Sequence, residues 1–156
     1  MKNTTNLLLI VLISFSTIQC SGLLGEEEAL LPINAVSVDD NNLIVKEATL
    51  KLDSGTVISF WSEMDMEYEG DMGFEFRIEV IKGDEQVAYI EIDPTDKNIS
   101  LNEVFTEINN KTNWRFTWKN GEYNIPETGT YTFKSILIAS PNESLKLEKA
   151  ELILKK

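Results

Sequence analysis

Between Phe74 and Val80 the residues alternate strictly: Phe74, Phe76, Ile78 and Val80 fall on one parity, Glu75, Arg77 and Glu79 on the other. Strand side chains project to opposite faces with a period of two, so this stretch forms a strand with one dry and one wet face. From Leu43 onward the chain repeats that theme, in segments rich in β-branched and aromatic residues broken at short intervals by Gly, Pro, Asn and Asp. Strands are predicted over 43–52, 56–68, 73–82, 85–92, 113–119, 130–139 and 145–154. Turns at Asp53-Ser54-Gly55 and Lys82-Gly83-Asp84 are short enough to join their neighbours as antiparallel hairpins. The consequence is an all-β fold, an antiparallel two-sheet β-sandwich.

One segment departs from the pattern. Over 99–108, Leu101, Val104, Phe105 and Ile108 recur at helical spacing, Ser100 and Glu103 match a capping box, and Ile99 with Val104 matches a hydrophobic staple. One short helix is expected there, closing one end of the sandwich. The stretch Glu127-Thr128-Gly129-Thr130-Tyr131-Thr132-Phe133 resembles a tyrosine corner, the turn that ties a tyrosine to its own upstream backbone in immunoglobulin-like domains. The same G-x-Y-x-F pattern is similar to that of jelly-roll carbohydrate-binding modules, which this chain also resembles in size and strand rhythm. Jelly-roll topology is preferred and immunoglobulin-like topology is the alternative.

Ahead of the sandwich, Lys2 precedes an uncharged apolar run from Leu7 to Ile18 that ends at the only cysteine, Cys20. A span of about 20 apolar residues is needed to cross a bilayer, and Ser14, Ser16, Thr17 and Gln19 interrupt this one, so it reads as a signal peptide. An unmodified Cys20 in an exported chain would be a lone thiol with no disulfide partner. Thr17-Ile18-Gln19-Cys20 resembles the lipobox of bacterial lipoproteins. That resemblance implies acylation of Cys20, with palmitate among the acyl chains, and an anchor in the outer membrane, on its periplasmic or exposed side. Gln19 departs from the small residue usual before the cysteine, and Thr17 from the usual leucine. The lysine-rich, isoleucine- and asparagine-rich composition, with Glu26-Glu27-Glu28 behind the anchor, is similar to that of Bacteroidetes surface lipoproteins. Of 156 residues, 136 follow Cys20, enough for one domain. The expected division is a signal peptide over 1–19, a flexible tether over 20–42 and the sandwich over 43–156.

Charge narrows the partners. The chain carries 26 acids against 14 bases, a formal net charge of −12, with no cluster of Lys or Arg, which speaks against nucleic acid. Histidine is absent and cysteine is committed to the anchor, so the usual general base, zinc ligands and Cys–His nucleophile are missing. A non-catalytic module binding glycan or protein is expected. The alternatives are a structural or assembly-accessory envelope lipoprotein and, more distantly, a carboxylate-based glycoside hydrolase. With 26 acids some pair will meet the spacing such an enzyme needs, and nothing selects one.

Two groups are candidate sites. Trp114, Phe116 and Trp118 share one face of a strand, with Arg115, Thr117 and Lys119 on the other; the rings form either a sugar-stacking platform or part of the core. Asp65, Glu67, Glu69 and Asp71 alternate with Met64, Met66 and Tyr68, placing four carboxylates on one side as either a calcium site or an ordinary solvated face. No other cofactor is expected.

Overall fold

The computed structural model describes residues 24–38 and 41–156. Cys20, the signal segment 1–19 and the pair Asp39-Asp40 lie outside the described residues. The described chain is all-β, with nine strands and no helix: β1 (Glu27–Pro32), β2 (Lys46–Leu52), β3 (Val57–Glu69), β4 (Phe74–Lys82), β5 (Glu85–Ile92), β6 (Ile99–Ile108), β7 (Lys111–Asn124), β8 (Gly129–Ala139) and β9 (Lys146–Lys155). Among the described residues no helix is long and apolar enough to cross a membrane. The strands form two antiparallel sheets, one in the order β1-β9-β3-β7-β6 and the other β2-β8-β4-β5. They pack as a β-sandwich.

The core follows from the alternation. On β4, Phe74, Phe76, Ile78 and Val80 are all buried, and on β8 so are Tyr131, Phe133 and Leu137. From the five-stranded sheet they meet Ile58, Phe60, Met64 and Met66 of β3, Phe116 and Trp118 of β7, and Leu152 and Leu154 of β9. A bulge at Phe60/Trp61 disturbs the register of β3 against β7. Trp61 is buried too, but opposite Ile153 and beneath Lys155, whose Nζ lies 4.5 Å from the ring centroid. The tyrosine-corner contact is present: the buried Tyr131 hydroxyl donates to the Glu127 carbonyl at 2.7 Å.

Three expectations are corrected. The segment 99–108 is strand β6, paired with β7 at every position but Leu101, and not a helix. Its apparent capping box is used otherwise, because Glu103 accepts from Trp114 Nε1 at 3.3 Å and pairs with Lys97 at 2.9 Å. The decisive local signal is Asn109-Asn110, both at positive φ (52° and 67°). Two left-handed residues between Ile108 and Lys111 make the tight turn whose twist matches a hairpin.

The segment read as a tether contributes β1, which pairs with β9 and buries Leu31, and Ile33 just beyond the strand is buried too. Asn34, at φ 51°, closes this join by accepting the Ala150 amide on its side-chain oxygen at 2.8 Å. Proline is tolerated at Pro32 because β1 is an edge strand.

The turn at Asp53-Ser54-Gly55 makes no hairpin, for β2 and β3 lie in different sheets. It is a corner tied to the β7–β8 connection, with Gly55 N donating to Ile125 O at 2.8 Å and Ser54 Oγ to Pro126 O at 2.8 Å. The Lys82-Gly83-Asp84 turn does join β4 to β5 as a hairpin.

Candidate functional site

The acidic row on β3 does not converge. Alternate residues of a strand project in parallel, roughly 7 Å apart, and here cations on neighbouring strands take Glu63, Asp65 and Glu67 separately. Glu63 pairs with Lys149 at 2.9 Å, Asp65 with Arg115 at 3.5 Å, and Glu67 with both Lys111 and Lys146 at 2.8 Å. Glu69 ends β3 and Asp71 lies beyond Gly70, which turns the chain away at φ 78°. Among the described residues no group of three or more acidic side chains is placed to hold a metal ion.

Hydrogen bonds from Lys111 and then Lys146 hold the Glu67 carboxyl below its ordinary range. A carboxyl whose folded pKa is depressed contributes stability above its unfolded pKa, and loses it as pH falls through the folded one. Glu67→Gln is therefore expected to flatten the fall of melting temperature with acidification below the ordinary glutamate range. Its effect near neutral pH should be small, as for exposed ion pairs generally. Parallel melting curves for variant and native chain across that range would contradict this.

The aromatic row divides. Trp114, Phe116 and Trp118 do share one face of β7, but Phe116 (0% exposed) and Trp118 (2%) lie in the core, while Trp114 packs against it only in part. The Phe116 and Trp118 rings stack at 4.1 Å, with Trp114 edge-on to Trp118 at 5.4 Å. Phe105 of β6 stands directly opposite Trp114, its ring 5.4 Å away and nearly perpendicular. Lys97 closes the far end, its Nζ 4.7 Å above Trp118. An aromatic ladder thus runs from the core to the rim at β6, and only Phe105 and part of Trp114 reach solvent.

β6 itself is the unusual element. It is the one described strand exposed at all ten positions, and it carries five large exposed apolar side chains: Ile99, Leu101, Val104, Phe105 and Ile108. As an edge strand it also presents a row of unpaired backbone groups. The other three edges are blunted or folded in. β1 carries Glu27, Glu28 and Pro32, β2 carries Lys46, Glu47 and Lys51, and β5 turns Ala88, Ile90 and Ile92 against the core. β6 has no proline and no lysine.

Asn120 holds this edge in place. Its side-chain oxygen accepts from the Ser62 amide and hydroxyl at 3.1 and 2.7 Å, and its Nδ2 donates to the carbonyls of Pro94 and Asp96 at 3.0 and 2.9 Å. Asn98 Nδ2 returns a bond to the Asn120 carbonyl at 2.8 Å. The crossover from β5 to β6 is thereby fastened to β3 and β7. Asn120→Ala leaves the fully buried Ser62 hydroxyl and two loop carbonyls without these partners, and is expected to cost about 2 kcal/mol. Urea denaturation reads the loss, and amide exchange should show β6 losing more protection than β4; unchanged stability would remove Asn120 from this role.

A second surface lies on the outer face of the four-stranded sheet. A groove of about 580 Å³ is lined by Leu43, Val45, Glu47, Arg77, Tyr89 and Ile136, among others. Tyr89 is 48% exposed there, and Arg77 is held by Glu75 at 2.6 Å.

No family model matches the chain, and no curated protein is similar to it. Among solved structures, a β-glucosidase from Paenibacillus barengoltzii is similar over 80% of this chain at 16% identity, with a TM-score of 0.32. The chain spans a tenth of that protein's length. The likeness carries nothing about activity.

Proposed function

We propose that the chain is a lipid-anchored, non-catalytic binding module of a bacterial cell envelope that engages a protein partner along β6. The observation that carries this reading is the exposure of β6 at every position with five large apolar side chains, beside an open backbone edge. Apolar surface in contact with water is a standing source of binding free energy, about 25 cal/mol per Å² once covered. An open strand edge adds directional hydrogen bonds to it. The anchor rests on the apolar run to Ile18 and on Cys20 as the only cysteine. The non-catalytic reading rests on a composition without histidine and with its only cysteine at the anchor, which leaves out the usual general base and the thiol nucleophile.

The groove at Tyr89 supports a second reading, a glycan ligand. Its size suits a small ligand, and an exposed phenol ring beside Arg77 and Glu47 can stack on a sugar and hydrogen-bond its hydroxyls. Photo-crosslinking in intact cells separates the two. A benzophenone side chain at Val104 is expected to trap a protein, while one at Tyr89 should trap none. Crosslinks from Tyr89 alone, or glycan binding lost in Tyr89→Ala, would turn the assignment to the groove.

A further inference from the structure

We infer that the partner of β6 is a second copy of the same chain, joined by antiparallel β6–β6 pairing in one register centred on Val104. This rests on the reading of β6 as the contact edge, and the pattern of side chains along the strand specifies the occupant.

Residues opposite one another in a sheet share a face. Pairing with β7 therefore sorts β6 into Ser100, Glu103, Phe105 and Glu107 on the face of Trp118, Phe116, Trp114 and Thr112, and Ile99, Asn102, Val104, Thr106 and Ile108 on the outer face. Leu101 is the extra residue of the bulge between Ser100 and Asn102. A two-fold axis at Val104 then opposes Val104 to itself, Asn102 to Thr106 and Ile99 to Ile108 on the outer face. On the inner face it opposes Glu103 to Phe105 and Glu107 to Ser100. On the outer face apolar residues meet apolar residues and Asn102 meets Thr106; on the inner face each glutamate meets an uncharged residue, Glu103 facing Phe105 and Glu107 facing Ser100, so no two carboxylates face.

The charges also exclude the neighbouring alignments. Because side chains alternate, the register can slip only by steps that preserve the face. Centring on Glu103 sets that carboxylate against its own copy, and centring on Phe105 sets Glu103 against Glu107 twice; like charges directly opposed are destabilising. Centring on Asn102 or Thr106 avoids the clash but pairs only about half the strand. A strand whose single full-length self-pairing is free of like-charge contacts is self-complementary in the sense a two-fold interface requires. Pairing over ten residues adds on the order of ten backbone hydrogen bonds, what a stable interface commonly carries. It would also cover the half-exposed Phe105 ring of each copy with the stem of the Glu103 opposite, whose carboxylate is held by Lys97 and Trp114.

The test uses the full-length chain and a thiol on the proposed axis. Val104→Cys under mild oxidation is expected to give a reducible band at twice the chain mass, well above the native chain, whose Cys20 sets the background. Phe105→Cys, which faces itself only in the disfavoured register, should stay at background. Light scattering on the native chain should give twice the monomer mass. Val104 is 52% exposed, so native melting temperatures are expected for the variant. A monomer mass, or a dimer without a Val104→Cys link, overturns the proposal. If the chain is monomeric and a photo-crosslinker at Val104 traps a protein of another mass, the second copy is wrong but the contact edge stands. If Val104 traps nothing, both fail.

Discussion

Phe116→Ala is expected to destabilise the domain by about 3–5 kcal/mol, the usual cost of truncating a buried phenylalanine. Its ring is fully buried, stacked on Trp118 at 4.1 Å and 5.0 Å from Trp114, so the space it leaves is walled by two large rigid rings. Rigid neighbours collapse poorly into a cavity, which puts the cost at the upper end. For a domain of this size the melting temperature should fall by on the order of 10–20 °C. Trp114→Ala, at the partly covered rim, should cost clearly less, because it removes a side chain that already touches solvent. The pair of variants reads out where the ladder passes from core to surface. Equal losses would mean that the rim is as tightly packed as the interior, and that Trp114 has no surface left to offer a partner.

That division was half legible in the sequence. Trp114, Phe116 and Trp118 had to share a face because a strand repeats every two residues, but periodicity says nothing of how far the opposite sheet extends. The four-stranded sheet covers Phe116 and Trp118 and stops short of full cover at Trp114. The seven strands predicted from Leu43 onward stand within a few residues of the observed β2–β5 and β7–β9, since each turns one face inward and leaves the other to solvent; β7 alone extends further, by five residues at its C-terminal end.

β6 escaped for the opposite reason. Both of its faces are wet, so its apolar residues sit on both parities, and Leu101, Val104, Phe105 and Ile108 fall by coincidence at helical intervals. A local signal was present in Asn109-Asn110, a pair suited to the left-handed turn of a two-residue hairpin. β1 was hidden by its edge position: Glu27, Glu28 and Pro32 look like linker residues, yet they are what a protected edge strand carries. The corner at Gly55 reads in sequence like any tight turn, and its partners Ile125, Pro126 and Thr128 lie some seventy residues on.

Cys20→Ala is expected to be all or none. The chain has a net charge of −12 and no basic cluster to hold it against an anionic leaflet, so on the proposed reading of Cys20 as an acylated anchor nothing electrostatic supplements the acyl chains. Each buried methylene contributes about 0.8 kcal/mol, and one chain alone gives only marginal, reversible binding, whereas two or more hold a protein stably. On that proposal, removing the thiol removes all of them together. Palmitate labelling should drop to background and the chain should move from the membrane to the soluble fraction, with the melting temperature retained to show that the sandwich still folds. Labelling equal to that of the native chain would sink the anchor. The same variant bears on the proposed β6 pairing, because confinement to a surface raises the encounter rate and effective concentration of two edges that pair. A membrane-bound pool of Val104→Cys should therefore show more crosslinking than the same amount of the double variant Cys20→Ala/Val104→Cys in solution, and the excess measures what the anchor adds to the contact.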